Sequence, residues 1–361
     1  MPLSLVPFAL PRRRSGSRVG VEPRREGSPG TGGGGRGTVG GVLAATVSSF
    51  APDSPLDGLT VGERPEPEAR EHWTTVDVRA AALNQHDLWS LRGVGLRAEQ
   101  LPMVLGTDGA GVTPDGREVV VHAVVGGPSG HGVGPAEPRS LLSERYPGTL
   151  AERVAVPTWN LVDKPAALSF VEAACLPTAW LTAYRMLFTT GRAQPGQRVL
   201  VQGAGGGVAT AAITLGAAAG LEVWVTGRDA GRRDRALGLG AAGAVAPGER
   251  LPARADLVIE TVGAATWSHS VRSVRPGGTI VVAGATTGEP GRMEIQRIFF
   301  LEIAVLGATM GSRQDLEQLL AFLARTGVRP VVDSTVPLAR VADGLARLAD
   351  GAQFGKVVAE I

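Results

Sequence analysis

The chain has 361 residues, 43% hydrophobic and 19% charged, enough for two domains that each bury a core. No apolar run is long enough to cross a bilayer, and the single cysteine, Cys175, excludes an internal disulfide framework and a cysteine-built zinc site. The net charge of +2 hides an asymmetry: residues 1–40 hold seven Arg against two Glu, so the remainder is net −3, which argues against nucleic acid as a partner.

Residues 1–40, with four consecutive glycines at 32–35 and little periodic hydrophobicity, cannot bury enough surface to offset their ordering entropy and are predicted to be a disordered tail. Residues 1–10 are apolar with no charge before them and Arg12-Arg13-Arg14 after them, the reverse of a secretory signal, so a cytoplasmic protein is expected. Residues 41–166 read as a β-rich domain, with strand-like segments at 42–47, 75–80, 118–121 and 151–156. The Gly- and Pro-rich stretch 124–148 reads as a surface loop.

From Ser169 helices alternate with short apolar strands at 198–203, 222–226, 244–246, 256–260, 279–284 and 303–307. That rhythm predicts an α/β domain over 167–310, a doubly wound parallel sheet of six strands. Residues 311–361 hold two helical stretches, 313–326 and 338–350, and a final strand at 356–359 expected to return to the β-rich domain.

The first of the six strands runs into Gly203-Ala204-Gly205-Gly206-Gly207-Val208, followed by an alanine-rich helical stretch. Small residues at such a strand-to-helix turn let backbone N–H groups and the helix N-terminus face a pyrophosphate, so these six residues are candidate dinucleotide ligands. The second strand ends at Gly227-Arg228. An acid there would accept hydrogen bonds from a ribose 2′-OH, whereas a glycine followed by a cation suits a 2′-phosphate. NADP(H) is the expected cofactor. Arg232 and Arg233 follow one helical turn later, where a solvated charged face is their plainer reading.

Five ordered blocks complete the pattern: Ala80-Ala81-Ala82-Leu83-Asn84-Gln85-His86-Asp87, Leu105-Gly106-Thr107-Asp108-Gly109-Ala110-Gly111-Val112, Leu176-Pro177-Thr178-Ala179-Trp180-Leu181-Thr182-Ala183-Tyr184, the cofactor loop, and Pro276-Gly277-Gly278. Together they resemble the medium-chain dehydrogenase/reductase superfamily over roughly residues 42–361, and within it the zinc-lacking quinone-oxidoreductase-like branch. The resemblance implies a Rossmann-type sheet beside a GroES-like catalytic domain, and a homodimer paired through the edge strand at 303–307. It places Thr182 at the nicotinamide ring and Lys356 within reach of the pyrophosphate.

The superfamily's zinc enzymes carry Cys, His and Cys where this chain has Asn84, Thr107 and Thr178, and neutral amide and hydroxyl oxygens are poor zinc ligands. No metal is expected. The five histidines, His72, His86, His122, His131 and His269, show no paired ligand spacing.

Without a Lewis acid, the resemblance implies hydride transfer to an electron-poor acceptor, a quinone or α,β-unsaturated carbonyl, with Asn84, His86, Thr107 and Thr178 lining the site. Tyrosines common in the branch are replaced by Gln85 and Gly95, leaving His86, Asp87 or water as the proton source. Two alternatives stay open: an enoyl-thioester reductase, and an NADPH-binding sensor or RNA-binding protein with little turnover.

Overall fold

The computed structural model describes residues 41–126 and 140–361; the expected tail over 1–40, and residues 127–139 of the predicted loop with His131, lie outside the described residues. Six short strands from the second half form one parallel sheet in the order Gly243–Val245, Glu222–Thr226, Arg198–Val201, Ala255–Glu260, Val274–Val282 and Ala304–Gly307. Parallel strands are covered on both faces, which is why they read as near-continuous apolar runs: Val199, Leu200, Val258 and Ile280 are fully buried. The strand order reverses at Arg198–Val201, and ligands of open α/β sheets bind in the crevice beyond the carboxyl end of such a strand.

The first half supplies a three-stranded sheet and most of a seven-stranded one. The fold is therefore a Rossmann-type domain beside a GroES-like β-rich domain. The last strand, Lys356–Glu360, pairs antiparallel with Trp73–Ala82, setting Val358 opposite Ala82. That pairing builds the end of the chain into the β-rich sheet and brings Lys356 beside Asn84.

Between the sheets runs a helical rod from Phe170 to Thr190 with wide, π-type turns at Leu176–Trp180 and Arg185–Thr190. Its Trp180 and Leu181 are fully buried in a core shared by Ala80, Ala110 and Val120 of the β-rich sheet and Val199 and Val201 of the parallel sheet. Both sheets are thus packed against one rod. Thr178 and Thr182, four residues apart and so on one face of it, are turned to the crevice.

Ser169 starts this rod by a capping box: its hydroxyl accepts from the Glu172 N–H, and the Glu172 carboxylate accepts from the Ser169 N–H at 2.9 Å. Arg329 grips the same carboxylate with Nε and Nη2, both at 2.6 Å, tying the rod to the C-terminal segment. Burial raises the Glu172 carboxyl, but Arg329 and Ser169 outweigh it and hold it at about 2. A carboxyl depressed by folding adds stability above its unfolded range, and that stability is lost as pH falls through the folded value. Glu172→Gln should therefore lower the melting temperature at pH 7, and the difference from wild type should close as pH falls from the ordinary glutamate range toward 2, as thermal melts across that range would show.

Candidate active site

The crevice between the two domains is a cavity of about 530 Å³, within the range of small-molecule sites. One wall is the glycine loop. Gly203 takes φ 94°, a left-handed conformation that side chains other than glycine rarely adopt, and this turns the chain from strand into loop. The turn is fixed from beneath. The Gly203 N–H donates to the Thr226 hydroxyl at 3.0 Å, Thr226 donates to Gln202 Oε1 at 2.8 Å, and Gln202 Nε2 donates to the Ser270 hydroxyl at 2.9 Å. Ser270 in turn donates to the fully buried Glu260 carboxylate at 2.6 Å. The helix Gly207–Ala218 begins at the loop, so the N–H groups of its first turn, which have no helical partner, line the cavity at Gly207, Val208 and Ala209.

The opposite wall is polar and buried. Lys356, 2% exposed, spends all three ammonium donors within the protein: on Leu83 O at 2.7 Å, Asn84 Oδ1 at 2.6 Å and Asp108 Oδ2 at 2.9 Å. Asn84 Nδ2 donates to the same Asp108 oxygen at 2.9 Å, and lies 3.2 Å from Ala82 O and 3.3 Å from Thr107 Oγ1. Thr107 Oγ1 is 3.0 Å from Thr178 Oγ1. Asp108 and Thr107 are fully buried, and Thr178 is the half-exposed end of the chain of contacts.

At the helix Gln85–Leu91, His86 Nε2 lies 3.0 Å from Glu144 Oε1, and both side chains line the cavity. Asp87 does not share that position. It is fully buried, and its two oxygens accept from the Asn84 N–H at 2.8 Å and the Gly106 N–H at 3.0 Å, pinning the helix start to the turn that carries Thr107. Burial raises its carboxyl. As a group sealed off from the cavity it drops out as a proton source. Burial also pushes the Cys175 thiol up to about 12, which leaves it inert as a nucleophile.

Of the expected site residues, Asn84, His86, Thr107, Thr178 and Lys356 line the polar wall of the cavity, and Thr182, Gly203, Gly206, Gly207 and Val208 line the wall at the glycine loop. Ala204 and Gly205 lie behind the loop: Ala204 is 4% exposed, and the Gly205 carbonyl accepts from the Gly355 N–H at 2.9 Å. Gly227 and Arg228 end the adjacent strand outside this cavity, Arg228 being exposed. Lys356 departs from its expected role. Its stem passes close to Gly207, but its ammonium is committed to Asn84, Asp108 and Leu83 and none of its donors remains for a pyrophosphate. Glu144 and Trp89 also line the cavity, and Asp108 lies buried behind it against Lys356 and Asn84; sequence reasoning singled out none of the three. Glu144 belongs to the stretch read as a surface loop, yet its neighbours Leu142 and Ser143 are fully buried, because residues 140–141 pair with Val124–Val125 and draw the segment inward.

The positions that hold zinc in the superfamily's metal enzymes present an amide and two hydroxyls here, and a lysine ammonium already sits 2.6 Å from the amide oxygen. Neutral oxygens bind zinc poorly and the ammonium repels a second cation, so the donor set does not fit zinc. Among the described residues no group of three or more His, Cys, Asp or Glu is arranged to hold a metal ion.

A dinucleotide crevice meeting a polar cleft at the junction of these two domains defines a two-domain oxidoreductase of the dehydrogenase/reductase class. Comparison with known proteins agrees. The profile of the zinc-binding dehydrogenase family matches residues 207–325. The chain is 31% identical over 301 residues to 2-methylene-furan-3-one reductase of Solanum lycopersicum, covering 81% of this chain and 72% of that one. It is 29% identical over 322 residues to acryloyl-coenzyme A reductase of Metallosphaera sedula, covering 83% and 96%. A crystal structure described as an NAD-dependent alcohol dehydrogenase superposes with a TM-score of 0.81 at 32% identity, covering 88% of this chain and 99% of that chain. The chain belongs to the zinc-binding dehydrogenase family of medium-chain dehydrogenases/reductases, a family of oxidoreductases.

Proposed function

We propose that the protein transfers a hydride from NADPH to an α,β-unsaturated carbonyl compound or a quinone without a metal. The observation that carries this reading is the buried Lys356, Asp108, Asn84 and Thr107 cluster standing where a zinc ligand set would be, beside a crevice that reaches the glycine loop. An unactivated alcohol needs a Lewis acid, whereas a conjugated acceptor is already electron-poor and needs chiefly positioning and a hydrogen bond to its oxygen. The names of the tomato and Metallosphaera relatives specify conjugated carbonyl substrates, which supports the same class.

When bound, the reduced nicotinamide supplies the hydride. The N–H groups at Gly207 and Val208 would hold the pyrophosphate of the dinucleotide, and Thr182, on the cavity wall, would meet its nicotinamide. The apolar wall, with Trp89 and Leu141, excludes water from the acceptor. His86, its Nε2 3.0 Å from Glu144 Oε1, would deliver the proton that the α-carbon of the acceptor needs to complete the reduction. The acryloyl-coenzyme A relative favours one narrower version of this chemistry, in which the conjugated carbonyl is a thioester.

A panel of acceptors followed at the NADPH absorbance tests the reading. An enone, a small quinone or acryloyl-coenzyme A should oxidise NADPH, and ethanol should not reduce NADP⁺. Alcohol oxidation with no reduction of any conjugated acceptor would overturn it.

NADPH should bind more tightly than NADH. Gly227 offers no carboxylate to a ribose hydroxyl, Arg228 is exposed beside it, and Arg233 folds back to donate from Nη1 to Gly227 O at 2.7 Å. A charge-assisted contact to a phosphate is worth about 1.5–3 kcal/mol, so Arg228→Ala should weaken NADPH by about tenfold or more and leave NADH unchanged. Equal effects on the two dinucleotides in a fluorescence titration would contradict this.

The protein is also expected to be a homodimer. Ala304–Gly307 is the last strand of its sheet, and beside it Ile295, Phe299 and Phe300 are 66%, 66% and 80% exposed. An open strand edge next to bare aromatic rings is a surface for a second copy. Light scattering should give the mass of two chains; a single-chain mass at micromolar concentration would contradict it.

A further inference from the structure

We propose that Thr178 is the catalytic hydrogen-bond donor to the substrate oxygen, and that Lys356 acts as a positioning residue that fixes its polarity through Asn84 and Thr107. The inference rests on the reading of the site as that of a conjugated-carbonyl reductase and adds the direction of the hydrogen bonds that run from Lys356 to Thr178.

The direction follows from the donors and acceptors present. An ammonium only donates, so the Asn84 atom 2.6 Å from Lys356 Nζ is the amide oxygen. The amide nitrogen therefore points the other way, 2.9 Å from the Asp108 carboxylate, 3.2 Å from Ala82 O and 3.3 Å from Thr107 Oγ1, and it cannot accept. Thr107 is fully buried, and its hydroxyl meets two groups, the Asn84 amide nitrogen and Thr178 Oγ1. With the amide nitrogen a donor, Thr178 Oγ1 at 3.0 Å is the acceptor left for the Thr107 hydrogen. A buried hydroxyl hydrogen without an acceptor is costly, so Thr107 donates to Thr178.

Thr178 then has its own hydrogen free, and it is the half-exposed member of the set, on the cavity wall. The relay reads Lys356 to Asn84 to Thr107 to Thr178 to substrate. The Lys356 and Asp108 pair at its buried end fixes the Asn84 amide in one orientation, and a hydroxyl that accepts a hydrogen bond donates a stronger one, so the last hydroxyl is a stronger donor than an isolated threonine. As the hydride reaches the β-carbon, negative charge gathers on the carbonyl oxygen, and a preorganised donor there lowers the barrier. No proton has to leave Thr178. It donates a hydrogen bond throughout, and the α-carbon takes its proton from elsewhere.

The test uses the full chain, NADPH, the enone benzylideneacetone and its saturated product benzylacetone labelled with carbon-13 at the carbonyl. Thr178→Val should lower kcat by about 100-fold, leave the NADPH dissociation constant unchanged, and move the infrared carbonyl stretch of bound benzylacetone up in frequency. Thr178→Ser should restore turnover and stretch. Asn84→Asp keeps the size of the side chain but replaces the donating nitrogen by an acceptor. Thr107 would then donate to residue 84 and Thr178 to Thr107, which reverses the relay, so this variant should lose turnover and the stretch shift as Thr178→Val does. Melting curves identify any variant that fails to fold, in which case the valine and serine pair decides.

Unchanged turnover and stretch in Thr178→Val would overturn the assignment, as would an Asn84→Asp protein that folds and keeps both. If the wild type binds NADPH and benzylideneacetone but does not react them, the reductase reading falls. The stretch then decides the relay alone: a lowered frequency restored by serine supports it, and an unshifted carbonyl overturns it.

Discussion

Replacing Gly206 by aspartate should raise the stability of the ligand-free protein and at the same time abolish dinucleotide binding. Gly206 caps the helix Gly207–Ala218 at φ −73° and ψ 162°, a conformation open to any residue, and a Cβ built there meets nothing within 4 Å. An aspartate at this position caps free N–H groups and sits at the positive end of the helix, contributing about 0.5–1 kcal/mol. The same carboxylate would occupy the space in which the pyrophosphate is proposed to lie. Two unit charges about 4 Å apart repel by about 4 kcal/mol at an effective dielectric near 20, so NADPH affinity should fall by at least about 100-fold. Thermal melts and a fluorescence titration read the two effects separately. A variant that is more stable and still binds NADPH normally would show that the empty space at Gly206 is not the dinucleotide site.

Lys356→Met should be the most destabilising single change in the catalytic wall. Methionine keeps much of the stem that passes Gly207, so packing is largely preserved, but the fully buried Asp108 loses its cation. Asp108 Oδ1 already has no hydrogen-bond partner among the described residues, so the carboxylate would be left with the Asn84 amide alone. Breaking a buried pair by removing one partner costs about 3–5 kcal/mol. The double variant Lys356→Met with Asp108→Asn removes the stranded charge and should recover most of that loss. Urea denaturation of wild type and both variants measures it; a single variant within about 1 kcal/mol of wild type would mean that the pair does not stabilise the fold.

The cofactor half is legible in the sequence because its signals are local. Strand, glycine turn and helix N-terminus follow one another over residues 198–218, and the conformation of Gly203 is the reason a glycine stands there. The parallel strands announce themselves as apolar runs, because burial on both faces leaves no alternation. The catalytic wall is legible only as positions. Asn84, Thr107 and Thr178 can be placed by resemblance, but their bonding depends on Lys356, 272 residues from Asn84 and delivered by the antiparallel pairing of the last strand with Trp73–Ala82.

His86 and Glu144 are 58 residues apart, and composition points the wrong way for Glu144, since a Gly- and Pro-rich stretch reads as solvent-facing even where one end of it turns inward. His269, one of the histidines without paired ligand spacing, packs 8% exposed against Gln202 beneath the loop. Asp87 illustrates the opposite failure: an acid beside a candidate site residue invites a chemical role, and its oxygens serve two backbone N–H groups.

The most direct measurement of metal-free hydride transfer to a conjugated carbonyl is the fate of a single deuterium. Benzylideneacetone is reduced with NADPH carrying deuterium at both C4 positions by protein whose metal content has been determined, and the label in the product is located by mass spectrometry and NMR. The expected result is benzylacetone with one deuterium on the carbon β to the carbonyl, at a rate unchanged by a chelator and with no stoichiometric zinc. Deuterium on the carbonyl carbon of an alcohol product, formed by protein that holds one zinc per chain and loses activity to the chelator, would contradict it.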